Sequence, residues 1–199
     1  MSKPSKQKFF PTEPQHAEEK LNALSTVPLR DVVLKAATAS QRFYIKSLKD
    51  EASPYVIAHG PAGTGKTYLA VLFAMQQLRD GLIKKVIITR PMVGAGGEEL
   101  GFLPGDLNAK FAPWAIPIID AFEEFYSVAQ VKRMIETKVI EFAPLALMRG
   151  RTLKNALIIV DEAQNCTVEQ MKMVLTRLGA GSRMVVTGDV EQHDHRGYV

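Results

Sequence analysis

The stretch Gly60-Pro61-Ala62-Gly63-Thr64-Gly65-Lys66-Thr67 limits what this chain can fold into more than any other. It reads G-x-x-x-x-G-K-T, a phosphate-binding loop. Its glycines let the backbone take conformations closed to other residues and come close to a phosphate. The loop N–H groups then face inward as an anion cradle. Lys66 brings a full charge to the β- and γ-phosphates of a nucleotide, and the Thr67 hydroxyl is placed to ligate Mg2+. Such a loop needs a strand before it and a helix after it, and both are legible. Tyr55-Val56-Ile57-Ala58 reads as a buried strand, and Tyr68–Leu78 reads as a helix closed by Gly81. The positive end of that helix adds to the same anion site.

A second strand, Val86-Ile87-Ile88-Thr89, follows the helix, so the unit is βαβ and the two strands are expected to run parallel. Further strands are expected at Val139–Pro144, Leu157–Val160 and Arg183–Thr187. The predicted class is α/β: a phosphate-loop core with a mostly parallel sheet and helices on both faces. In such sheets the ligand crevice lies beyond the C-terminal strand ends. Leu157-Ile158-Ile159-Val160-Asp161-Glu162 puts two carboxylates at one of those ends, about 95 residues after Lys66. Four apolar residues followed by Asp-Glu is the Walker B pattern. Asp161 is expected to hold Mg2+ through water, and Glu162 to orient or deprotonate the water that attacks the γ-phosphate. A base poised for water argues against a small-molecule kinase, which must keep water from its phosphoryl group.

Other polar residues fall near the same end. Thr187, Asp189 and Gln192, in Thr-Gly-Asp-x-x-Gln, are each placed to sense a γ-phosphate. Arg90 follows the second strand, and Arg149 and Arg151 follow the third. Arg149, Arg151 and Arg177 are the candidates for a cation that a neighbouring copy would bring to the transition state, with no basis for choosing among them. Gln41, about twenty residues upstream of the loop, is the candidate for bonding the adenine edge; a surface glutamine is the alternative.

Several stretches read as scaffold. Leu29–Leu34 and Ala36–Leu48 look helical, with Ser40 as a cap and Phe43, Tyr44 and Leu48 as the apolar face. Met92 to Pro113 is a long glycine- and proline-rich connection containing Glu98 and Glu99, and loops of that length are usually functional. Trp114–Tyr126 is expected to be a helix with Pro117 in its first turn. Its aromatic residues, at helical spacing, read as core. Val128–Glu136 is another helix. Thr167-Val168-Glu169-Gln170 is a capping box opening a helix that Gly179 ends. Cys166 reads as a small buried residue, and His193, Asp194 and His195 as a solvated end rather than a metal site.

Composition sets the outer bounds. At 199 residues the chain fits one domain with a sizeable core. It contains no run of 18 apolar residues, so no membrane span is expected. The first residues lack the apolar stretch of a signal peptide, and one cysteine allows no internal disulfide, so a cytoplasmic protein is expected. A net charge of +4 permits nucleic-acid binding without requiring it. Residues 1–35 are expected to form a polar extension and 36–199 the nucleotide-binding domain.

Gly60–Thr67, Thr89-Arg-Pro91, Gly101-Phe-Leu-Pro-Gly-Asp106, Ala143-Pro-Leu-Ala-Leu-Met-Arg-Gly-Arg-Thr-Leu153, Val160-Asp-Glu-Ala-Gln-Asn165, Gln170-Met-Lys-Met173 and Val185-Val-Thr-Gly-Asp189 together resemble the PhoH-like proteins. These are cytosolic, phosphate-starvation-linked ATPases of bacteria that many bacteriophages also carry. The resemblance spans residues from about 39 to 192. It implies a RecA-like core related to superfamily-one helicases, binding of ATP with Mg2+, and assembly into a ring or other homo-oligomer. Work on single-stranded RNA is suggested where relatives are fused to a PIN ribonuclease domain. Val93–Glu99 departs from the family pattern, and the family domain is expected to continue beyond Gln192, leaving this chain without its C-terminal part. The function expected is Mg-dependent ATP hydrolysis coupled to RNA-linked work. The alternative is a nucleotide-binding regulatory or scaffold protein without efficient hydrolysis; a true helicase is the weaker third reading.

Overall fold

Ala156-Leu157-Ile158-Ile159-Val160 buries every one of its side chains. A strand of that kind must have a neighbour on each edge and a packed layer on each face. A computed structural model, which describes residues 26–92 and 107–192 with side chains from 113 onward in the second segment, supplies both. The elements in chain order are α1 (Ala39–Lys49), β1 (Tyr55–His59), α2 (Lys66–Arg79), β2 (Lys85–Arg90), α3 (Leu107–Glu123), α4 (Val128–Glu136), β3 (Ile140–Pro144), β4 (Ala156–Val160), α5 (Val168–Leu175) and β5 (Arg183–Gly188). The sheet order is β1-β5-β4-β2-β3. All four pairings are parallel, so all five strands end on one side. This is an α/β fold of the RecA-like phosphate-loop kind, with β5 inserted between the strand of the loop and the strand of Asp161.

The period-two alternation of strands sorts the side chains into two layers. Val86, Ile88, Leu157, Ile159 and Val185 face a core completed by α2, α3 and α4. Ile87, Ile158, Val160, Met184 and Val186 face a second core completed by Leu145, Met148, Leu153 and Val174. The helix after the phosphate loop packs into the first core, and Leu69 through Met75 are all buried. Its place in the sheet's first layer explains why it is apolar all round rather than along one stripe.

Four local expectations need correction. Leu29–Leu34 is not helical. It lies as an irregular strap in which the Leu29 N–H donates to the Phe125 carbonyl at 2.7 Å and the Val32 carbonyl accepts from Gln76 Nε2 at 2.6 Å. Only Val32 of that run is deeply buried; single anchors, not a helical stripe, fix it. The first helix is capped by Thr38, whose side chain accepts from the Gln41 N–H, and not by Ser40. Its buried residues are Ile45 and Leu48, while Phe43 is 74% exposed. α3 begins at Leu107, so Pro113 and Pro117 both lie inside it and withdraw two donors from its backbone ladder. Ile118, Phe122 and Phe125 are nevertheless core, as their spacing predicts. α5 stops at Leu175 with Thr176 as its cap, before Gly179. The capping box at Thr167 is present, and a second one, Ser127 with Gln130, opens α4. Residues 93–106, including Glu98 and Glu99, lie outside the described residues, as do His193, Asp194 and His195.

Two arginines tie loops to the sheet. Arg151 forks onto Glu141 with bonds of 2.7 and 2.9 Å, and that bond holds the Glu141 carboxyl below its usual range. Arg183, the first residue of β5, donates to the carbonyls of Ser47, Leu48, Asp50 and Ser53 at 2.6 to 3.4 Å and lies over the Phe73 ring. Ser47 and Leu48 belong to the last turn of α1, which carries the negative end of the dipole; the Ser47 carbonyl also accepts the Asp50 N–H at 3.3 Å. Arg183→Ala is expected to lower stability by about 2–3 kcal/mol, since it leaves several carbonyls without a charged donor. Arg183→Lys should recover less than half of that because an ammonium cannot fork. Urea unfolding of the three proteins checks this.

Candidate nucleotide-binding site

Gly60 leaves the end of β1, and its N–H donates to the Gly188 carbonyl at the end of β5, 3.2 Å away. The loop is therefore laid against the tip of its neighbour strand. Gly65 is the N-cap of α2, with φ of 79°. That left-handed backbone is open to glycine at no steric cost, and it turns Lys66 and Thr67 into the first turn of the helix. The Lys66 ammonium donates to the carbonyls of Gly60 at 2.6 Å and Pro61 at 2.8 Å, with Thr64 Oγ1 at 3.4 Å. The lysine is therefore held at the rim of the loop by the loop's own oxygens.

Thr67 and Asp161 are 94 residues apart in sequence, and Thr67 Oγ1 donates to Asp161 Oδ1 at 2.7 Å. Thr187 Oγ1 donates to the same oxygen at 2.8 Å. Loop, β4 and β5 thus meet on one carboxylate oxygen. Thr187 is fully buried and spends its hydroxyl orienting Asp161, a role its sequence position did not reveal. Mg2+ prefers oxygen ligands, keeps several waters, and takes one or two carboxylates alongside substrate phosphates. A threonine hydroxyl and one aspartate fit that donor set. Among the described residues no group of three His, Cys, Asp or Glu side chains stands ready to enclose a metal by itself.

Glu162 follows with φ of 51°. A left-handed glutamate is strained by about 1–2 kcal/mol and persists only where its surroundings fix it. Its carboxylate accepts from Gln164 Nε2 at 2.6 Å. Asp189 is buried and holds backbone: Oδ2 accepts from the Ala62 N–H at 3.2 Å and Oδ1 from the Glu191 N–H at 3.0 Å. Gln192 is exposed at the mouth. Together Ala62–Tyr68, Asp161, Glu162, Thr187–Asp189 and Gln192 line a cleft of about 200 Å³. Lys66 is the one cation among these lining residues.

Gln41 does reach the loop, though at its outer side. Its Nε2 donates to the Thr64 carbonyl at 3.0 Å and its Oε1 accepts from the Ala37 N–H at 2.6 Å. Beside it the Tyr44 hydroxyl donates to the Lys66 carbonyl at 3.2 Å; burial, reinforced by the negative Asp161, pushes that phenol far above its ordinary value. Of the three candidate arginines, Arg151 is engaged by Glu141, and Arg177 bonds to the Met173 carbonyl and Thr176 Oγ1. Arg149 is exposed.

The PhoH-like protein family matches residues 33–198 of the sequence. The chain belongs to that family. It is 53% identical over 161 residues to a PhoH-like protein of Bacillus subtilis, covering 81% of this chain and 50% of that one. It is 52% identical over 169 residues to a PhoH-like protein of Synechocystis, covering 85% and 51%, and 40% identical over 161 residues to Protein PhoH of Escherichia coli K12, covering 80% and 45%. The chain thus spans about half the length of the relatives it matches. No helix among its described residues is long and apolar enough to cross a membrane.

Cys166 ends the short helix after Glu162 and packs on the second core. Burial pushes its thiol up to about 11. Near neutral pH the thiolate is the reactive form, so alkylation should run about a hundredfold slower in the folded chain than in the unfolded one. Iodoacetamide labelling at pH 7.5, with and without urea, measures the ratio.

Proposed function

We propose that the chain binds Mg-ATP in this cleft and hydrolyses the γ-phosphate, as an enzyme of the phosphate-loop ATPase class. The observation that carries the reading is that the Thr67 and Thr187 hydroxyls meet on one Asp161 oxygen, at 2.7 and 2.8 Å, in a cleft that Lys66 and Glu162 also line. The Gly60–Thr67 N–H groups and Lys66 hold the phosphates. Thr67, and Asp161 through water, would hold Mg2+, which would supply positive charge to the phosphates. Glu162 directs the attacking water and takes its proton. Gln192, exposed at the mouth, would sense the γ-phosphate. A cleft of about 200 Å³ suits the phosphate chain rather than a whole nucleotide. The adenine then lies outside it, on the side where α1 brings Gln41.

Lys66 alone supplies positive charge among the described lining residues, and two of the three candidate arginines are spent on internal bonds. This supports a homo-oligomer in which a neighbouring copy completes the transition-state charge. It equally supports the second reading, a binding module that turns over poorly alone. RNA-linked work rests on the family resemblance, with a mildly basic charge that permits it, and a cytoplasmic setting rests on the family resemblance.

Phosphate release from Mg-ATP, followed across protein concentrations with and without single-stranded RNA, separates the readings. Activity rising faster than protein concentration supports the assembled ATPase. ATP binding without release at any concentration leaves the binding module. Lys66→Ala is expected to abolish nucleotide binding, and Glu162→Gln to keep binding while losing about 100-fold or more in turnover. Normal turnover by Glu162→Gln would remove Glu162 as the base.

A further inference from the structure

Glu162 and the phosphate loop are joined by a run of hydrogen bonds that neither motif contains. Glu162 Oε2 accepts from Gln164 Nε2 at 2.6 Å. The other end of that carboxamide, Oε1, accepts the Asp189 backbone N–H at 3.0 Å. The Asp189 carboxylate in turn accepts the Ala62 N–H of the loop at 3.2 Å. Gln164 therefore spans from the turn after β4 to the tip of β5. The fit is close: a Cβ at Gly188 would stand 2.9 Å from Gln164 Oε1 and 3.3 Å from the Gln164 nitrogen. Only one orientation of the amide serves both ends, because a carboxylate needs a donor and an N–H needs an acceptor.

The geometry points to Gln164 as a positioning residue that fixes the Glu162 carboxylate against the tip of β5 and, through Asp189, against the phosphate loop. The inference rests on the reading of Glu162 as the water-directing base. The side-chain chemistry is specific. Glutamate at 164 sets oxygen against oxygen at Glu162, asparagine is one methylene short, and methionine fills the space without bonding either end. Glu162 stands at φ of 51°, a left-handed backbone that persists where its surroundings fix it. Base and phosphate cradle are thereby held in one frame, so the distance from base to γ-phosphate is set by bonds rather than by packing alone.

Amide hydrogen exchange at Asp189 in the nucleotide-free full chain tests the bridge without any need for hydrolysis. Gln164→Met is expected to speed exchange there about tenfold, as expected when one buried bond is lost. Glu162→Ala should speed it severalfold, because the amide loses the partner that orients it, and the double variant should match Gln164→Met. No change at Asp189 in Glu162→Ala would overturn the bridge. In single-turnover phosphate release, Gln164→Met should slow the rate about tenfold with nucleotide affinity unchanged. Gln164→Glu should not restore it. A wild-type rate in Gln164→Met would also overturn the proposal. A wild-type protein that releases no phosphate would instead sink the ATPase reading, while the exchange result would still decide the bridge.

Discussion

One carboxylate oxygen, Oδ1 of Asp161, accepts hydroxyl hydrogens from Thr67 and Thr187. The rest of the site depends on that convergence. It can exist only if the loop strand, β4 and β5 end at the same height and side by side. An all-parallel sheet in the order β1-β5-β4 provides this, because parallel register carries every C-terminal end to one rim. Burial then makes the arrangement rigid. β4 is covered on both faces, so Asp161 stands on a strand that cannot slip by one residue without turning apolar side chains out of one core and into the other.

The frame that holds this rim is assembled from distant parts of the chain. Arg183 begins the strand that carries Thr187 near its other end, and its guanidinium closes the last turn of the helix whose first turn carries Gln41. The strap at Leu29–Val32 is pinned to α2 and to the turn after α3 through backbone groups. Neither device contributes to chemistry. Each removes a freedom that the helix behind the phosphate loop would otherwise have.

Much of this was legible in the sequence, for a physical reason. Phosphate binding needs glycines, a lysine and a hydroxyl at fixed spacing, and a buried parallel strand needs an unbroken apolar run, so Gly60–Thr67 and Leu157–Glu162 announce themselves. Strand order and the role of β5 follow less directly, yet the polar tip at Thr187–Asp189 marks them. Contacts carried by single side chains across the fold were not legible. Nothing local distinguishes Thr187 as a partner for Asp161, or Gln164 as a link between Glu162 and Asp189. The helical reading of Leu29–Leu34 failed because its apolar residues serve as separate anchors, and Ser40 lost to Thr38 because a cap is decided by which hydroxyl faces the Gln41 N–H. The start of α3 was missed because two prolines inside a helix read as its boundary.

Glu162 stands at a left-handed dihedral where glycine would rest without strain. The consequence is evolutionary. Under selection for folding alone, drift at this position runs downhill toward glycine, and the first step yields a firmer fold without its proposed base. Loss of the proposed base here needs no damage to the fold, so a single substitution can remove that carboxylate and leave the architecture intact.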